Sequence, residues 1–272
     1  MRKALYFLFL LLVGLAFGCN QGTKHPQADL INKNSTEALT DSAILQLADS
    51  IDKNQQQMEK YYSLVYQTKN EHTYVERFTW NGIPQLLIEH IKNEGLSSIT
   101  RKYYFKDNDL ILIKENRMLM KSDGSTFDDK RTYLRNNISF KQDARTGHSL
   151  AELQRMSFAD TKQSKMSNNT DDYTKKIDLL NQMIEGSNNY EMVFDRFIST
   201  PDTKYILLKS KIPSDYSATI LVNENDALTD SLASDPSIFK EEKLNMNWKI
   251  ENDEAFYVPV AAKVTSASGL KR

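Results

Sequence analysis

Between residues 72 and 145 the chain repeats one local instruction, a short apolar-polar alternating run followed by a residue pair that tolerates positive φ. HTYVERFTWNG (72–82), IPQLLIEHIKNEG (83–95), SITRKYYFKDND (98–109), LILIKENRM (110–118), DKRTYLRNN (129–137) and ISFKQDAR (138–145) are rich in Ile, Leu, Tyr and Phe at strand spacing. The breaks fall at Asn81-Gly82, Glu94-Gly95, Asn108-Asp109, Asp123-Gly124 and Asn136-Asn137. Tight hairpins need positive φ, which Gly and Asn adopt at least cost, so each break marks a hairpin and the segment is expected to be an antiparallel meander. RKYYFKDNDLILIKE (101–115) and KRTYLRNNISFKQ (130–142) read as one hairpin written twice.

Helical spacing flanks this block. Ile44, Leu47, Ala48, Ile51, Met58, Tyr62 and Val65 share one face of a helix expected over 41–66, capped by Thr40 or Asp41. Ser149 and Glu152 form a capping-box pair, opening a helix to about 158 with Leu150, Leu153 and Met156 inward. A second helix is expected from Asp171 or Asp172 to Ile184, stopped by Gly186. The last third reads strand (189–199), strand (203–211), strand (216–224), short helix (226–233), strand (243–251), strand (254–264). That order resembles an OB-fold barrel in topology. The expected fold class is α+β: an N-terminal helix packed on an antiparallel meander, then helices and a small five-stranded OB-like β-barrel. The expected division is 1–18 signal peptide, 19–39 lipidated cysteine and tether, 40–147 helix plus meander, 148–186 helical connector, 187–266 barrel and 267–272 tail.

Composition separates the N-terminus from the rest. Arg2 and Lys3 precede a nearly unbroken apolar run at 4–17, too short for the roughly 20 residues that span a bilayer, so it reads as a signal-peptide core. It ends in Leu15-Ala16-Phe17-Gly18-Cys19, with small residues before the only cysteine of the chain. This stretch resembles the lipobox of bacterial lipoproteins, although Ala16 stands three places before the cysteine, where Leu is commonest. The resemblance implies cleavage before Cys19 and its modification by diacylglycerol and an acyl chain. Multiple chains at about 0.8 kcal/mol per buried methylene would anchor the protein firmly. The expected location is the bacterial cell envelope, with the outer membrane favoured by Asn20 if the source is Gram-negative.

Removing Arg2 and Lys3 leaves 33 basic against 36 acidic side chains, a mildly acidic body without a general basic field, so nucleic acid is not an expected partner. Cys19 apart, no thiol exists for disulfides, thiolate metal sites or nucleophilic chemistry. The nine glycines allow neither a GxGxxG nor a GK[ST] loop, and no GxSxG or HExxH occurs. Asp107-Asn108-Asp109 and Asn223-Glu224-Asn225-Asp226 lack calcium-loop spacing and read as turns. A two- or four-residue loop around Asn81-Gly82 would set His72 and His90 on opposite faces of their hairpin, and only a three-residue loop would put them on one. No metal, cofactor or catalytic residue is therefore expected. The remaining candidate is a binding face of aromatic and basic residues: Tyr74, Phe78 and Trp80 on the first strand, Tyr103 and Phe105 on the third, with Arg101 and Arg131 among them. The functional expectation is a membrane-anchored, non-catalytic binding or assembly component engaging an envelope protein or small ligand. The alternatives are an exported hydrolase of glycans or peptides, and a carrier of an amphiphile.

Overall fold

A computed structural model describes residues 39–161 and 173–260. Helix α1 (Asp41–Asn54) is followed by two short strands, β1 (Glu59–Tyr62) and β2 (Tyr66–Gln67). The meander comprises β3 (Glu71–Trp80), β4 (Ile83–Asn93), β5 (Ser97–Lys106), β6 (Asp109–Lys121), β7 (Gly124–Arg135) and β8 (Ile138–Gly147). Helix α2 (Leu150–Arg155), strand β9 (Ala159–Asp160) and helix α3 (Tyr173–Glu185) lead to β10 (Met192–Ser199), β11 (Lys204–Ser210) and β12 (Ser217–Leu221). Helix α4 (Ala227–Ser234) then precedes the hairpin of β13 (Asn247–Glu251) and β14 (Glu254–Val258).

The fourteen strands of the described residues belong to one mixed sheet, in the order β10-β11-β12-β2-β3-β4-β5-β6-β7-β8-β9, with β1 beside β3 and β14 parallel to β12. The expected α+β arrangement with a separate five-stranded barrel is therefore wrong. The strands of the last third form close to where they were expected, but β12 pairs with β2 through Ser217–Gln67 and Ala218–Tyr66 instead of closing on its own set. The described residues from Asp41 onward form one compact unit.

The same short segment explains the second correction. The helix expected over 41–66 stops at Asn54 because nothing apolar follows Ile51 until Met58, about two turns later. The Tyr- and Val-containing stretch beyond is better satisfied as strand, β1 pairing β3 and β2 bridging β3 to β12. Within α1 the expected seam holds: Ile44, Ala48 and Ile51 are buried. Its acidic residues fix it to the meander, Asp52 accepting from the Tyr104 hydroxyl at 2.9 Å and from Lys102 Nζ at 2.9 Å, and Asp41 from Lys141 at 2.7 Å. Helix α3 lies over the other sheet face, burying Leu180 and Met183, and the Tyr66 hydroxyl donates to the Met183 carbonyl at 2.8 Å.

Three of the meander hairpins share one design. Their turns have positive φ at both central residues, at Asn81-Gly82 (51° and 76°), Asp107-Asn108 (51° and 70°) and Asn136-Asn137 (51° and 60°). The second turn sits one residue before the expected Asn108-Asp109. Each hairpin slips register at the same distance from its turn, between Phe78 and Thr79, Tyr104 and Phe105, and Tyr133 and Leu134. The slips are β-bulges, which strengthen local twist and redirect every side chain beyond them. The repetition read in two units is thus a threefold one that includes the bulge.

Helix α2 is shorter than expected. Ser149 Oγ caps it by accepting from the Glu152 N–H at 3.1 Å, and Glu152 reaches back to the His148 N–H at 2.7 Å. Only Leu153 is buried, whereas Leu150 and Met156 are exposed. Gly147 closes β8 against this helix, and a β-carbon there would lie 3.0 Å from the Leu153 backbone nitrogen. Because backbone cannot yield as a side-chain tip can, Gly147→Ala is expected to cost about 1–3 kcal/mol, read as a lowered urea midpoint with unchanged slope.

Candidate functional site

Register builds the site. Beyond the bulges, β4 to β7 set Glu89 opposite Arg101, Arg101 opposite Glu115, and Glu115 opposite Lys130, a row of alternating charge across four strands on the face under α3. The adjacent row on that face is Leu87, Tyr103, Ile113 and Thr132. Tyr173 and Lys176 come down from α3 and, with Arg101, Tyr103, Ile113, Glu115, Lys130 and Thr132 of the two rows, line a cavity of about 410 Å³. That volume lies within the range of small-molecule sites.

Glu89 is the innermost charge, its side chain only 3% exposed. It accepts from Lys176 Nζ at 2.6 Å, the Tyr103 hydroxyl at 2.9 Å and Arg101 Nη1 at 3.3 Å. Such a carboxylate is tolerable only because three donors replace its lost hydration. Arg101 turns its Nε to Glu115 at 2.6 Å, and Arg117 adds a second guanidinium contact to Glu115 at 3.1 Å. Burial alone would push the Glu115 carboxyl up; the hydrogen bonds from Arg101 and Arg117 outweigh it and hold Glu115 below the ordinary carboxylate value. Burial works to lower the Arg101 guanidinium, but the bond to Glu115 and the charge of Glu89 leave it firmly protonated. Burial first, and then the Glu89 charge, push the Tyr103 phenol well above its usual range, so it stays a donor. Lys130 lines the cavity and forms no side-chain hydrogen bond or ion pair among the described residues.

The expected binding face divides between the two sides of the sheet. Arg101 and Tyr103 enter the cavity, and Phe105 is buried with Leu110 in the core on that face. Tyr74, Phe78 and Arg131 point to the other side. Tyr74 is buried, stacked on His90 with ring centres 4.3 Å apart, and donates to Asp253 at 3.0 Å. Phe78 is buried beneath Lys60, and Arg131 lies flat on Phe158 at 3.4 Å from the ring centre. Trp80, next to the first turn, is 44% exposed. Cys19 lies outside the described residues.

The histidine expectation needs correction as well. The first loop has two residues, yet His72 and His90 share a face, because the bulge at Phe78 and Thr79 shifts the pairing to His72–Lys92 and Tyr74–His90. They line a second cavity of about 380 Å³ with Lys92 and Asp253. His90 contacts Glu76 at 3.4 Å and His72 contacts Glu94 at 3.4 Å. Among the described residues no group of three or more His, Asp or Glu side chains is placed to hold a metal ion.

Glu89, Glu115, Lys130, Tyr173 and Lys176 were not among the expected site residues. For Glu89, Glu115 and Lys130 the signal in sequence was charge at alternate positions of strands, but which charges meet depends on the bulges; Tyr173 and Lys176 lie on α3, where no strand pattern could point to them. Among the described residues no helix is long and apolar enough to cross a membrane. Neither a protein-family model, nor a curated protein, nor a solved structure matches this chain.

Proposed function

We propose that the chain is an envelope lipoprotein anchored through Cys19 and that its folded body is a non-catalytic binding component, with the α3-covered cavity as its binding site. The observation that carries this reading is the commitment of the cavity's charges to one another. Glu89 is held by three donors and Glu115 by two guanidinium groups, leaving a rigid polar surface with Lys130 uncommitted. Preorganised groups of this kind favour recognition because little side-chain freedom remains to be lost on binding.

A hydrolase reading fits less well. A carboxyl serving as general acid needs a raised pKa, whereas Glu115 is held down by Arg101 and Arg117. A carrier of amphiphiles calls for a wholly apolar hollow, whereas here Tyr103, Ile113 and Tyr173 share the wall with the charged Arg101, Glu115, Lys130 and Lys176.

The anchor is tested separately from the body. In membrane fractions of an expressing bacterium, the wild type should sediment with membranes and incorporate labelled palmitate. Cys19→Ala should lose the label completely and move to the soluble fraction or remain as unprocessed precursor. Equal labelling of both forms would remove the lipoprotein half of the proposal.

A further inference from the structure

Resting on the binding reading above, we propose that the cavity's ligand carries an anionic group, a carboxylate or a phosphate, that docks on Lys130. The charge inventory of this face supports it. Arg101 and Lys176 are engaged with Glu89, and Arg101 and Arg117 with Glu115. Asp128 stands opposite Arg117 and accepts from Thr146 Oγ1 at 2.7 Å. Lys130 faces Glu115 on one side, each of whose oxygens already accepts from a guanidinium, and Ala144 on the other, which brings no charge. Among the described residues one cation, Lys130, is therefore without a hydrogen-bonded or ion-paired partner, half-buried at the wall of a cavity large enough for a small molecule.

Its neighbours suit an anion. Thr132, two residues along the same strand and on the same face, offers a hydroxyl that can donate. Lys176 contributes positive potential from the opposite wall. Taking an ammonium group partly out of water without a partner is unfavourable, and an incoming oxyanion would relieve that cost with a charge-assisted hydrogen bond. A cationic ligand would meet Lys130 at the wall, while the two carboxylates that could attract it are already bonded to Lys176, Arg101 and Arg117. A carboxylate and a phosphate ester would engage the lysine alike, so the probe has to separate them.

The test uses the full-length protein in detergent micelles with its lysines reductively methylated with carbon-13, which keeps their charge. Inorganic phosphate and acetate are titrated separately at constant ionic strength against chloride, and Lys130→Gln identifies the Lys130 resonance. The expected result is a saturable shift of the Lys130 signal with one or both anions and none for Lys209, which is paired with Glu241 on the surface. Lys130→Gln, followed by calorimetry, should weaken anion binding at least tenfold with an unchanged melting temperature. Preference for phosphate would point to a phosphorylated ligand and preference for acetate to a carboxylate. A Lys130 response no larger than that to chloride, or anion binding that survives Lys130→Gln unchanged, would overturn the proposal. A neutral or cationic ligand recovered from the cavity would also overturn it while leaving the binding reading intact.

Discussion

Replacing Glu89 with alanine should lower the stability of the folded body by about 3–5 kcal/mol, the usual cost of removing one partner from a buried ion pair. The reason is what remains behind. Lys176, Arg101 and the Tyr103 hydroxyl all converge on this carboxylate, and its loss strands a buried phenol and uncouples α3 from the sheet at the Lys176 contact. Arg101 keeps Glu115 and so is not orphaned, which sets the upper bound. For a body of this size a change of this kind lowers Tm by on the order of 10 °C. Glu89→Gln should fall between alanine and wild type, since an amide can still accept but cannot neutralise Lys176. Adding Lys176→Met to Glu89→Ala should recover part of the loss, because the stranded cation is then removed. A Glu89→Ala protein with a denaturation midpoint equal to wild type would mean that the charged row is not formed.

Asp226→Ala is the second large effect, expected at about 2–4 kcal/mol from losing a helix cap together with charge-assisted bonds elsewhere. One oxygen of Asp226 caps α4, accepting from the Leu228 and Thr229 N–H groups at 3.0 and 3.1 Å. The other accepts from the Tyr257 hydroxyl at 2.7 Å and the Val260 N–H at 3.1 Å. A single carboxylate thus ties the α4 start to the end of β14. Burial would raise its pKa, but the Tyr257 hydroxyl and the three N–H groups prevail and hold it below the ordinary 3.8. The sign follows directly: a group with a depressed folded pKa contributes fully above 3.8, and its contribution disappears as pH falls through the folded value. Glu76 and Glu115, held below 4.5 by their cationic partners, add loss on the same acid side. Asp226→Asn retains a good cap but not the charge. Its stability curve should therefore be flatter than wild type below about pH 4, as measured by urea unfolding across pH. An Asp226→Asn curve parallel to wild type would contradict this assignment.

The parts of the fold that local chemistry dictates were legible, and the parts that depend on long-range pairing were not. The turn at Asn81-Gly82 could be read from residues that accept positive φ, and α3 from Leu180 and Met183 on one face with Gly186 behind them. The α1 boundary was misread because Met58, Tyr62 and Val65 happen to continue its helical spacing. Only pairing with β3, more than ten residues further on for Glu59–Tyr62 and five to seven for Tyr66 and Gln67, decides that this stretch is extended. That error carried the next one with it, since Tyr66 and Gln67 are the residues that join β12 to the meander and prevent a separate barrel. The site suffered from register in the same way. Arg101 and Tyr103 were nominated for their chemistry and do meet in the cavity. Tyr74 and Phe78 were nominated beside them but face the other side, because aromatic content says nothing about which side a strand presents. One bulged residue per hairpin decides which charges oppose one another, and no single residue announces a bulge.

The most direct measurement is site-specific photo-crosslinking in living cells, with benzoylphenylalanine replacing Tyr173 at the cavity wall in one strain and Phe127 on the opposite sheet face in another, in the full-length anchored protein. Binding in the cavity predicts a discrete adduct, protein or small molecule by mass spectrometry, from position 173 and none from position 127. No adduct at 173, or the same adducts at both positions, would contradict the assignment of this cavity as the binding site.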